Sequence, residues 1–270
     1  MTEQTPRLSQ SIAKVLLENG PFHAWHHHRS LGKLSSHSDA MDRGTLIHEL
    51  VLGGDKVAVL DHKDWRTNAA KAERDAVRDG GRVPVLAKQV EAVQVVVHKV
   101  RGLLTDRFDA YNGEWLFEHR LQWEQDGVAC EGTPDLFGFH AGRLFAIDLK
   151  TVGTAISTRR MGAVAVSGGW AIQRAAYVAA LEAMYPEFSG RIDFAWVIAE
   201  TDAPYQVRVA NADWQMRDLG ERQWKRAVLQ WRDLIAQGWD VPWKDDEELT
   251  MIAPWWAMLQ EEENDANADT

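Results

Sequence analysis

The chain has 270 residues, 45% hydrophobic and 26% charged, with a formal net charge of −10. That composition excludes a disordered, collagen-like or disulfide-stapled protein and points to a globular body of one domain, at most two. The single cysteine, Cys130, cannot build a disulfide framework, a cysteine zinc site or a cysteine-ligated iron–sulfur centre, and no apolar run nears the ~18 residues of a membrane span.

The opening segment MTEQTPRLSQ lacks the apolar core of a secretory signal, so a cytoplasmic location without a membrane partner is expected. His23, His26, His27 and His28 fall in a polar, non-periodic stretch and read as a solvated surface cluster. Gly44 to Val51 (GTLIHELV) predicts a short helix left at Gly53-Gly54. Pro84 to about Phe108 carries Val85, Val90, Val93, Val97, Val100 and Leu104, the stripe of a long amphipathic helix opened by proline. Trp115 to Val152 then alternates aromatic and β-branched residues and is broken at Asp126-Gly127 and Ala141-Gly142, which predicts a three-strand meander. Gly169 to Met184 reads as helix, Ile192 to Ala199 and Tyr205 to Val209 as strands, and Asp213 to Ala236 as a closing helix. Trp170, Trp196 and Trp224 are expected to be buried. The expected class is α/β or α+β, a central sheet covered by helices.

From Lys244 onward the chain carries nine acids against one lysine, a net of −8, which leaves −2 for the first 243 residues. The expected organisation is one domain over 1–243 with a helical N-terminal part, followed by an acidic tail over 244–270. A nearly neutral body leaves room for a local basic groove.

The two turns of the meander fix its register. A two-residue turn at Asp126-Gly127 pairs residues whose numbers sum to 253 and sets Glu118 against Asp135. A second turn at Ala141-Gly142 pairs residues summing to 283 and sets Asp135 against Asp148. Directly opposed side chains have Cβ atoms about 4.5–5.5 Å apart, where like charges repel. A divalent cation would turn that repulsion into shared coordination. Strand alternation puts Asp148 and Lys150 on one face and Phe145, Ile147 and Leu149 on the other, so the ammonium sits beside the acids. Acids that simply face water on an exposed sheet are the alternative. The helix signals on both sides of the meander weigh against it, because carboxylates under a covering helix need partners.

The string Gly132-Thr133-Pro134-Asp135, twelve residues and then Asp148-Leu149-Lys150 resembles the P-D…(D/E)-x-K signature of the PD-(D/E)XK nuclease superfamily. RGTLIHELVL at 43–52 resembles the Gly-x-x-x-His helix of the RecB-like branch, and Gln173-Arg174-Ala175-Ala176-Tyr177 resembles its Q-x-x-x-Y motif. Order and spacing are most similar to those of the exodeoxyribonuclease VIII (RecE-type) enzymes of phages and prophages, over about residues 40–180. The resemblance implies a restriction-endonuclease-like α/β core, a central mixed sheet flanked by helices. It implies Asp135, Asp148 and Lys150 as catalytic residues. Metal ligands would be His48, Asp135, Asp148, the Leu149 carbonyl and, more loosely, Glu118. Gln173 and Tyr177 would support the site or touch DNA. Asp148 stands where many relatives have Glu. Arg29, Arg43, Arg159 and Arg160 are candidate phosphate contacts.

The activity so implied is hydrolysis of phosphodiester bonds at double-stranded DNA ends, 5′ to 3′, with two Mg²⁺ (or Mn²⁺) ions neutralising the phosphate and activating water. A ring-shaped homo-oligomer, a single-strand annealing recombinase as partner, and a bacterial or phage-infected cytoplasm belong to the same implication. Two other readings stand beside it: an endonuclease of restriction or repair type with the same site, and a non-catalytic DNA-binding module on a nuclease fold. A Cas4-like enzyme shares the motif order but needs cysteines this chain lacks.

Overall fold

The computed structural model describes residues 6–28, 39–238, 250–255, 257–259 and 261. The chain divides into two compact units, Met1–Trp239 and Asp240–Thr270. Arg29 and most of the acidic segment lie outside the described residues. All elements named below belong to the first unit.

A short strand, β1 (Leu8–Ser9), runs into α1 (Gln10–Asn19), which Ser9 caps by accepting from Ile12 N. Helix α2 (Pro21–His27) follows, opened by its proline. The histidine stretch is therefore helical, and His28 corrects the expectation of a solvated cluster. It is buried, lies 3.0 Å through Nε2 from the Arg7 carbonyl and packs against Trp231. Next come α3 (Asp39–Leu52), β2 (Val57–Leu60), α4 (Asn68–Asp79), β3 (Val83–Leu86) and α5 (Ala87–Phe108). Pro84 does not open the long helix as expected. It sits inside β3, paired in parallel with β2 through Ala58, and the helix begins three residues later. A short V-P-V-L run fits a strand as well as a helix, and a two-stranded ribbon tolerates the missing N–H. The Gln89 side chain caps the helix by accepting from Leu86 N. Along α5, Val93, Val97, Val100, Leu104 and Phe108 form the buried stripe.

The region expected as a three-strand meander holds five strands: β4 (Trp115–Phe117), β5 (Leu121–Gln125), β6 (Val128–Gly132), β7 (Leu136–His140) and β8 (Arg143–Val152). Both turns form where expected, with Gln125 paired to Val128 and His140 to Arg143. Asp126 and Gly127 (φ 50° and 77°) and Ala141 and Gly142 (49° and 75°) take the left-handed backbone of a type I′ turn, at which glycine is unstrained. What differs is that the first hairpin changes sheets along its length. β5 and β6 join β1 in a three-stranded sheet of order β1-β6-β5, whereas β4 and β7 join β8 in the main sheet. The register is continuous across the break: Leu121–Gly132 and Phe117–Leu136 obey the same sum. Pro134 cannot donate to a ladder and Glu118 has φ 45°, so the bend falls at 118–120 and 133–135.

After β8 come α6 (Thr158–Ser167), α7 (Trp170–Met184), β9 (Ile192–Glu200), β10 (Val207–Ala210) and α8 (Trp214–Ala236). Asp213 caps α8 by accepting from Met216 N at 2.8 Å. The main sheet is mixed, in the order β10-β9-β8-β7-β4, with β8 and β9 parallel and the other pairs antiparallel. On one face Ile147, Leu149, Ala195, Val197 and Ala199 pack with Leu46, Ile47 and Val51 of α3 and the stripe of α5. Helix α7 covers the other face and α8 packs on α7. The fold is thus α/β, a central mixed sheet flanked by helices. Trp170, Trp196 and Trp224 are buried, as their sequence contexts suggested.

Candidate active site

The sheet change puts Asp135 at the bend, one residue before β7, level with the middle of β8. Glu118 N donates to the Asp135 carbonyl at 2.8 Å, so these residues oppose each other as the first turn predicts. Asp135 Oδ2 accepts from Leu149 N at 2.6 Å, which ties the acid to β8. His48 of α3 brings Nδ1 to 3.6 Å from the same oxygen. Helix α3 comes this close because Gly44 lies over β8: a Cβ there would stand 3.0 Å from Thr151 Oγ1.

Asp148 is 2% exposed and faces α7. Gln173 Nε2 donates to its Oδ1 at 2.7 Å, and Lys150 Nζ lies 2.6 Å from Oδ2. That ion contact is close but lies off the angle of a hydrogen bond, so Oδ2 has no hydrogen-bond partner among the described residues. One turn along α7, Tyr177 donates its hydroxyl to the Thr133 carbonyl at 2.9 Å. The two residues of the Q-x-x-x-Y motif therefore hold two strands: Gln173 orients an acid, and Tyr177 pins the bend that carries Pro134 and Asp135.

The electrostatics follow from crowding. Burial first, and then the charge of Asp148, hold the Asp135 carboxyl well above its ordinary range, opposed by the Leu149 N–H. Burial lowers the His48 imidazole, with Asp148 pulling it up and Lys150 pushing it down. A neutral imidazole keeps a lone pair for a metal. Burial also raises the Tyr177 phenol, which stays a hydrogen-bond donor.

Two residues the sequence did not flag belong here. Lys56, in the loop after α3, forms an ion pair with Glu118 and lies 3.6 Å from Glu49 Oε1. Glu49 is buried, and its Oε2 accepts from Lys56 N at 2.7 Å. Lys56 thus holds Glu118, and the buried Glu49 holds Lys56. No periodicity or turn signal marks either residue; only the adjacency of Glu49 to His48 could have drawn the eye.

Among the described residues no three His, Cys, Asp or Glu side chains converge at coordinating distance. Glu118 is turned to Lys56, Asp148 to Lys150, and Asp135 to Leu149. The donor set nonetheless suits a hard divalent cation: carboxylates, one imidazole and a backbone carbonyl. A raised buried carboxyl beside an acid whose second oxygen lacks a hydrogen bond is relieved by positive charge. Asp135, Asp148 and the Leu149 carbonyl could hold such an ion, with His48 at its margin.

Arg159 and Arg160 are exposed on α6 and form no ion pair among the described residues. Arg43 pairs with Asp202 at 3.2 Å, so a phosphate would have to compete for it.

Three comparisons bear on this arrangement. A family model described as the PD-(D/E)XK nuclease superfamily matches residues 7–249. The fold is similar to the crystal structure of a protein from Eubacterium rectale provisionally designated an exonuclease. That likeness has a TM-score of 0.59 at 11% identity and covers 94% of this chain and 93% of that one. The structure of SSO0001 is a fainter likeness, with a TM-score of 0.31 at 11% identity over 69% of this chain and 84% of that one. No curated protein matches the chain in sequence.

Proposed function

The chain belongs to the PD-(D/E)XK nuclease superfamily, and from that premise we propose that it is a divalent-metal-dependent exonuclease acting on the ends of double-stranded DNA. The observation that carries the reading is the meeting of Asp135, Asp148 and Lys150 at the sheet bend, with Gln173 bonded to Asp148. The name given to the Eubacterium rectale protein of similar fold favours exonuclease over endonuclease. Polarity from 5′ to 3′, a ring-shaped homo-oligomer, a single-strand annealing partner and a recombination role rest on the resemblance of the four ordered motifs to the RecE-type enzymes.

The chain's own residues would divide the work as follows. Asp135, Asp148 and the Leu149 carbonyl would hold a cation, and His48 would serve a second position. Mg²⁺ or Mn²⁺, two ions in this reading, would supply positive charge for the phosphate oxygens and an activated water. Lys150, held by Asp148, orients the attacking water or binds a phosphate oxygen. Gln173 keeps Asp148 from rotating, and the Tyr177 hydroxyl fixes the bend. Arg159 and Arg160 would take phosphates of the flanking strand, and Arg43 would do so on leaving Asp202.

The test compares linear with covalently closed circular duplex, with Mg²⁺ and with chelator. Degradation of the linear form alone, lost on chelation, is expected. Cleavage of the circle would replace the reading with an endonuclease, and metal-dependent binding without cleavage would leave a DNA-binding module.

A further inference from the structure

The face of the main sheet that carries Asp148 and Lys150 continues sideways into a cavity of about 430 Å³ that the site chemistry does not use. Register partners in neighbouring strands share a face, so Asp148 stands beside Trp196 and Ala210, and Lys150 beside Ile198 and Arg208. Strands lie about 4.8 Å apart, so the cavity wall begins one strand from the acid. Its lining is aromatic and soft: Met161 of α6, Trp170 of α7, Trp196 and Ile198 of β9, and Met216 of α8. The two indoles are tilted at 37° with centroids 6.0 Å apart, and the Lys150 ammonium lies 5.8 Å from the Trp170 ring centre. The Trp196 indole N–H is buried and has no acceptor among the described residues. Exposed Arg208 and Asn211 supply charge and hydrogen-bonding groups to the same lining.

We propose that this cavity receives one unstacked nucleobase of the strand being cut, that of the nucleotide attached to the phosphate held at Asp148 and Lys150. The inference rests on the nuclease reading above and extends it to the substrate's conformation. The occupant follows from connectivity and chemistry. For a phosphodiester held at Asp148 and Lys150, the attached group that could reach a cavity one strand away is its nucleoside. A flat aromatic base suits indole and thioether walls, since stacking on aromatic side chains is tolerant of sequence. Arg208 then lies where the next phosphate would pass. Unstacking a base from a duplex costs least where it is unpaired or at an end. A site built this way therefore favours termini without reading sequence.

Gly162 provides the test. It lines the cavity, and a Cβ there meets nothing within 4 Å, so Gly162→Leu starts its side chain in open space beside the lining. Wild type and variant are compared on linear duplexes whose terminal nucleotide, on each strand in turn, is normal or abasic. Hydrolysis of bis(p-nitrophenyl) phosphate measures the chemistry without a base. Wild type should lose between about fivefold and about 150-fold in kcat/KM on the abasic end, the range that base–aromatic stacking supplies. Gly162→Leu should lose a similar factor on the normal end, be indifferent to the abasic change, and retain wild-type hydrolysis of the small diester. Equal wild-type rates on both ends, or a variant as sensitive to the abasic change as wild type, would overturn the base site and leave the nuclease reading intact. Absence of wild-type hydrolysis of both duplex and small diester with Mg²⁺ would overturn the two together. Should Gly162→Leu melt below wild type, Met216→Phe fills the same space from α8 and carries the same comparison.

Discussion

Asp135→Asn should make the protein more stable while destroying its activity. The carboxylate is largely buried, with 16% of its side chain exposed, and Asp148 is its charged neighbour. Both influences penalise the ionised form, and the single Leu149 N–H only partly offsets them. Asparagine keeps an oxygen for that N–H and removes the charge. Stabilising substitutions commonly add roughly 0.5–2 kcal/mol. At about 2–4 °C per kcal/mol this is a rise in Tm of roughly 1–8 °C. The pH dependence has a definite sign. Because the folded carboxyl sits above its ordinary 3.8, the native state binds more protons than the unfolded chain as pH climbs from 3.8. Wild-type stability in chelator therefore falls, from this group, through the interval up to the raised value, and the asparagine variant lacks that fall. Added Mg²⁺ should reverse the ranking. A ligand at a hundred times its Kd adds about 2.7 kcal/mol to wild type and far less to a variant lacking one of the two acids. Thermal melts with EDTA and with Mg²⁺, across pH 4 to 8, read all three effects. A variant that melts below wild type in EDTA would refute the account of Asp135, and one with an undiminished response to Mg²⁺ would remove it from the metal site.

Asp148→Ala and Lys150→Ala should each abolish cleavage of linear duplex; circular dichroism and melting show whether the fold persists, and retained wild-type activity in either would sink the active-site assignment. Gln173→Ala strips the donor from a buried carboxylate, and a hydrogen bond to a charged group is worth about 1.5–3 kcal/mol. Urea unfolding in chelator should show that loss, whereas an unchanged midpoint would mean that Gln173 does not hold Asp148. Gly44→Leu forces a side chain against Thr151 Oγ1, and overpacking of this kind costs about 1–3 kcal/mol. It should weaken Mn²⁺ binding by titration calorimetry as His48 moves away from Asp135; wild-type affinity would show that α3 does not set the site.

Much of the site was legible because hairpin register is a local property. A two-residue type I′ turn fixes which residues oppose each other, so Asp126-Gly127 and Ala141-Gly142 were enough to set the backbones of Glu118, Asp135 and Asp148 in register, although the Glu118 side chain turns away to Lys56. Strand alternation likewise placed Lys150 with Asp148 and left Leu149 to the core. The four ordered motifs added His48, Gln173 and Tyr177, and the structure gives each a bond or near contact around the acids.

What the sequence determined by itself, then, was whatever is fixed between residues close along the chain: turn type, register, helix stripes, and the order of the motifs. Tertiary packing decided the rest. It split one long hairpin between two sheets at Pro134, and it placed Pro84 in a strand where the local pattern fitted a helix equally well. It buried His28 against Trp231, and it carried Lys56 and Glu49 to Glu118. It also opened an aromatic cavity between α6, α7, α8 and β9, whose lining residues are drawn from some sixty residues of chain. Such meetings leave no periodic trace, because each partner's local pattern satisfies only its own helix, strand or turn. They exist only once the whole hydrophobic surface has been buried and the remaining polar groups have found whichever partners that burial brought near.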